Sequence, residues 1–214
     1  MCGYLLANFF LWNSLLLKPM KLIAVFVHET SHAAACWITG GKVNAIEVYN
    51  NEGGVEKYQG GRRWIIIPAG YLGGAFWGMA FVMLSGDRRT SLISACVFIF
   101  LLLVSLFFAP NRAMILLSVG FCVLTAGFVL MDRLFFHPLL QYLTLFYGVF
   151  IGSFSVYDIY DDISTRPVER SDVHALVRLV PSCSPGFVGL LFAFSALGFQ
   201  ALGVYLALVW MTST

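Results

Sequence analysis

In the run AVFVHETSHAAACW, residues 24–37, two histidines and a glutamate stand among apolar residues. His28 and His32 are four apart, so on a helix both imidazoles rise from one face, with Cβ atoms about 5–6 Å apart. That spacing lets two ring nitrogens meet one zinc ion at about 2.0–2.1 Å. Glu29 sits about 100° further round the helix, off the ion itself but beside water held near it. His-Glu-x-x-His is the pattern in which zinc activates water and the glutamate serves as general base for attack on a peptide carbonyl. Ionisable side chains at membrane depth cost roughly 2.5–3.5 kcal/mol each on insertion scales, and zinc coordination offsets that cost.

A catalytic zinc is held by three protein ligands, so a third must come from elsewhere in the chain. The stretch GSFSVYDIYDDIS, residues 152–164, follows an apolar run. Asp158 lies nearest the hydrocarbon and is the expected third ligand. Asp161 and Asp162 share its face if the helix continues. Asp162 and Asp172 are the alternatives, Asp172 being read in ERSDVHAL as the N-cap of a following helix. His137, before Pro138, is read as interfacial and His174 as solvated.

The elements that must position these groups are membrane helices. The 214 residues are 59% hydrophobic and only 11% charged, against roughly 25% charged in an ordinary soluble domain. A lipid bilayer is the solvent such a surface requires. The net charge of +2 gives no reason to expect nucleic acid, and none of the five cysteines forms a C-x-x-C pair. Apolar segments lie near 4–17, 21–38, 64–84, 91–109, 113–131, 134–156 and 186–210. The first is short for a span of roughly 20 residues. The expected architecture is an all-α polytopic membrane protein of six to seven transmembrane helices, forming a single domain over 1–214.

Two regions interrupt the spans. Residues 42–60 alternate around Ile46, Val48 and Val55 with a Gly-rich turn, which predicts a β-hairpin directly after the histidine helix. Its edge would suit an extended substrate backbone. Residues 157–182 form a polar connector. Gly70, Gly74 and Gly78 make a small-residue stripe, expected to pack on Ala33, Ala34 and Ala35, with a homodimer face as the alternative.

VFVHETSHAAACWITGG, the EGGVEKYQGG hairpin and PAGYLGGAFWG together resemble the site-2 protease family of intramembrane zinc metallopeptidases, in its small branch without PDZ or CBS domains. The resemblance runs from about Trp12 through the last span and is most specific at His28, Glu29 and His32. It implies a zinc endopeptidase that cleaves transmembrane segments of other membrane proteins. In that family the third ligand is an aspartate from a later helix, usually in an Asn-Pro…Leu-Asp-Gly context. This chain has no Leu-Asp-Gly, so the ligand rests on the candidates above. A membrane channel or carrier, or a protease-derived scaffold without turnover, is the competing reading.

Overall fold

The computed structural model describes residues 1–49, 54–166, 168 and 171–213, with backbone alone at 56, 211 and 213. Helices α1 (Cys2–Leu11) and α2 (Lys18–Ile38) lead into a hairpin of β1 (Lys42–Val48) and β2 (Gly54–Gln59). Then follow α3 (Arg63–Leu84), α4 (Arg88–Ser105), α5 (Arg112–Leu134), α6 (Leu139–Ser164), α7 (Asp172–Leu179) and α8 (Pro185–Ser213). Among the described residues five helices are long and apolar enough to cross a membrane: α3, α4 with its 3-10 extension to Phe108, α5, α6 and α8. Counting the bent pair α1 and Leu15–Ile38 as one span makes six. The all-α polytopic architecture with its hairpin is as expected, at the lower end of the expected number of spans.

The segment near 4–17 is not a separate span. The chain turns by 117° between α1 and Leu15–Ile38, where Trp12 stacks on Tyr157 of α6 at 4.0 Å between ring centroids. Lys21 Nζ sits over the same indole, 4.9 Å from its centroid, a cation–π contact. Lys18 is the first residue of α2 and Pro19 the second, where a missing N–H costs nothing and the fixed φ suits the helix. Thr30 and Ser31 would compete with the backbone of α2, but their hydroxyls donate to the Phe26 and Val27 carbonyls at 2.8 and 2.6 Å. The helix therefore runs through its polar motif unbroken.

The hairpin pairs Lys42 with Gln59 and Val48 with Gly54, with an irregularity between Val43 and Ala45. Ile46 and Val48 point into the core, but Val55 is 42% exposed. It pairs with Glu47, and side chains one step apart on a strand face opposite sides. The inward position on β2 belongs to Gly54. The turn itself, residues 50–53, lies outside the described residues. Asn111 fixes the hairpin to the bundle: its Nδ2 donates to the Val48 carbonyl at 2.7 Å while its Oδ1 accepts from Met114 N at the start of α5.

The most buried spans are α3 and α6, and the glycine stripe explains how closely they approach. A Cβ at Gly74 would stand 2.7 Å from Ser155 Oγ, and one at Gly78 would stand 2.7 Å from the backbone N of Gly152. Gly70 alone of the three meets α2, and it meets the histidine rings rather than the alanines. The stripe is thus mainly an α3–α6 seam within one chain, which corrects the pairing expected with Ala33–Ala35 and uses the surface a homodimer would need. Gly74→Leu should separate α3 from α6, and overpacking of this kind costs about 1–3 kcal/mol. A lowered unfolding temperature in detergent is the expected result, and an unchanged one would contradict the seam.

Candidate metal centre

Helix α2 carries His28, Glu29 and His32 into the bundle, each less than 9% exposed. The backbone carbonyl of Ile66 takes a hydrogen bond from His32 Nδ1 at 2.7 Å. A carbonyl only accepts, so Nδ1 carries the proton and Nε2 of the neutral ring keeps its lone pair. His28 Nδ1 lies 3.2 Å from Asp158 Oδ2, and donation to that carboxylate leaves His28 Nε2 in the same state. Both free nitrogens turn towards one point. They are 3.0 Å apart, and each lies 3.1 Å from Oδ2 of Asp172.

Three electron-rich atoms facing one another at 3.0–3.1 Å repel unless a cation lies among them. Tetrahedral ligands bonded at about 2.0–2.1 Å stand about 3.3–3.4 Å apart, so the cluster fits a small divalent ion. Two imidazoles and a carboxylate make a donor set suited to zinc. The cluster has a tight wall as well. A Cβ at Gly70 would collide with Nε2 of both histidines, and one at Gly54 would collide with the Glu29 carboxylate. Glycine at both places lets α3 and β2 close directly over the polar groups.

Asp172 reaches the cluster because the connector folds back. Ser171 caps α7, its Oγ accepting from His174 N at 3.1 Å, and Asp172 is the first residue of the helix. Asp162 anchors this turn from α6. It is fully buried, and its Oδ2 accepts from Tyr71 OH at 2.6 Å, Ser171 Oγ at 2.8 Å and Val173 N at 3.0 Å. Arg166 links the two α6 carboxylates, donating to Asp158 Oδ1 and, at 3.1 Å, to Asp162 Oδ1. Burial opposes the charge on Arg166, but Asp158 and Asp162 outweigh it and hold the guanidinium protonated.

A family model described as Peptidase M50B-like matches residues 1–203. The chain belongs to this family. It is therefore an integral, multi-pass membrane protein of the site-2 protease type, a family of zinc-dependent membrane metallopeptidases. Among curated proteins and solved structures, none matches the chain.

The M50B-like fold treats the expected site residues differently. His28 and His32 converge as the i, i+4 spacing requires, with Glu29 beside them against Gly54. Asp158 is buried beside α2, but on the far nitrogen of His28 and under Arg166. Asp162 faces α7, and Asp161 is exposed near the helix end. Asp172, one of the two alternatives, is the aspartate that joins both Nε2 atoms. Tyr71, Arg166, Ser171 and the Ile66 carbonyl were not singled out from sequence. Only Ser171, a serine just ahead of an apolar-periodic run, carried a local signal.

Proposed function

We propose that this chain is an intramembrane zinc metalloendopeptidase that hydrolyses peptide bonds in or near transmembrane segments of other membrane proteins. The observation that carries the reading is the convergence of His28 Nε2, His32 Nε2 and Asp172 Oδ2 on one point, with Glu29 on the adjoining turn of α2. His28, His32 and Asp172 would hold the zinc, with Asp172 replacing Asp158 as the third ligand. When bound, zinc supplies Lewis acidity, which makes water acidic near neutral pH and polarises a carbonyl.

The protein's own groups supply the rest. Glu29 accepts a proton from the attacking water and returns it to the departing amine nitrogen, the ordinary exchange of a general base and acid. Asp158 and the Ile66 carbonyl fix the ring orientation and tautomer of the two histidines, the role that outer carboxylates and carbonyls play at zinc sites. Arg166 in turn holds Asp158. The site lies within a helical bundle whose spans are set in lipid, so a substrate bond arriving by lateral diffusion is itself in a membrane segment.

A channel or carrier would use these groups to line a water path. Here each histidine is tied through Nδ1 to an acceptor, which favours fixed ligands over a mobile proton relay. An inactive scaffold has no need of Glu29. Removing metal from purified protein with a chelator should abolish cleavage of a reporter transmembrane substrate, and one equivalent of zinc should restore it. Full cleavage by protein verified to be metal-free would overturn the proposal.

A further inference from the structure

At the opposite end of α6 from Asp158, the start of α4, the end of α5 and the turn joining α5 to α6 line a cavity of about 450 Å³. Eighteen residues separate Leu140, in its wall, from Asp158, about 27 Å along a helix. The cavity is distinct from the metal centre. Its polar wall consists of Arg88, Arg89, Arg133, His137 and Asp132.

The charges do not cancel. Asp132 is buried, and its carboxylate accepts from Arg88 Nε at 2.9 Å and from the backbone N of Leu140 at 3.1 Å. His137 Nδ1 donates to the Asp132 carbonyl at 2.9 Å, which fixes the ring at the rim. Arg88 and Asp132 thus neutralise one another and brace the three helices. Arg89 and Arg133 are left as a surplus, since among the described residues neither is in an ion pair. The nearby Asp87 is turned to α4, where its carboxylate caps Arg89 N and Thr90 N at 2.8 and 3.3 Å. The wall therefore carries two guanidiniums that, among the described residues, are outside any ion pair, and guanidinium is the side chain best matched to phosphate oxygens.

The surroundings decide which phosphate. Leu92 and Val129 line the side towards the spans. Leu134, Phe135 and Phe136, directly beyond Arg133, expose 70%, 80% and 54% of their surface. Arginine at the end of a span reaches the membrane interface, so the exposed apolar side chains beside it mark the edge of the hydrocarbon. A cationic pocket opening onto apolar surface there suits a molecule with a phosphate at one end and acyl chains at the other.

We propose that this cavity binds the phosphate headgroup of an anionic phospholipid, bridging the ends of α4, α5 and α6. The site stands whether or not the metal centre is a protease. In nanodiscs of phosphatidylcholine with a minor share of phosphatidylglycerol, native mass spectrometry of the full chain should show phosphatidylglycerol retained preferentially. Arg89→Gln combined with Arg133→Gln should lower that preference about 10–30-fold. Arg62→Gln with Arg63→Gln, which removes equal charge at the hairpin face, should leave it unchanged. The single change Arg89→Gln, at an exposed side chain, should give an intermediate loss and serves if the double variant is unstable. Equal retention of both lipids, or equal losses from the two charge pairs, would overturn the proposal. Saturation by inorganic phosphate with no lipid preference would also overturn it, by marking a free-phosphate site.

Discussion

Glu29→Gln is expected to lose cleavage by about 10²–10⁴-fold, the usual contribution of a general base, while keeping its metal. The amide matches the carboxylate in shape, which matters because Glu29 is buried and packs against the backbone of β2 at Gly54. It cannot take a proton from water near neutral pH. None of its atoms belongs to the three that converge between His28, His32 and Asp172. Zinc content should therefore stay within error of the parent while single-turnover cleavage of a reporter membrane substrate collapses. Parent-like turnover would rule out the role of base. Loss of metal together with activity would make Glu29 a ligand.

The second large effect separates two aspartates that look alike in sequence. Asp172→Asn removes the carboxylate oxygen that lies 3.1 Å from both free imidazole nitrogens, leaving two neutral ligands for a divalent ion. Zinc affinity should fall by more than about 100-fold, beyond the 10–100-fold usual for losing a group that only supports a ligand. Asp158→Asn should fall within that smaller range. Its amide oxygen still accepts from His28 Nδ1, and Arg166 keeps Asp162 as a partner. Chelator competition on the two purified variants measures both losses. Equal losses, or a larger one for Asp158→Asn, would return the ligand assignment to α6.

What was legible in the sequence was mostly local. His28, Glu29 and His32 fall within five residues, so helical geometry alone brings them together. The spans followed from their apolar length, and the hairpin from alternation and glycine. The alternation did not say which face of β2 turns inward, because a one-residue offset reverses the face of a strand; Gly54, opposite Val48, takes the inward position and Val55 the outward one. The first segment read as a possible span because composition does not report the bend that Trp12 makes by stacking on Tyr157.

The third ligand was hidden for a different reason. Asp172 is 140 residues from His32, and no periodicity spans that distance. Asp158 drew attention because a carboxylate ending an apolar helix needs a buried partner. It has two, His28 and Arg166, and Arg166 lay beyond the apparent end of the span. With Arg166 bonded to both Asp158 and Asp162, α6 continues as helix to Ser164, through residues assigned to the connector. Asp162 then pins the start of α7, and that contact carries Asp172 back to the histidines. Residues 169 and 170 of the same connector lie outside the described residues.

Zinc-edge X-ray absorption on the purified protein tests the centre most directly. The expected spectrum has two imidazole shells with nitrogen at about 2.0–2.1 Å and carboxylate or water oxygen at similar distance, without sulfur. One imidazole shell should disappear in His28→Ala, and the oxygen contribution should fall in Asp172→Asn but not in Asp158→Asn. A sulfur shell, or a zinc environment unchanged by His28→Ala, would contradict a centre built from His28, His32 and Asp172.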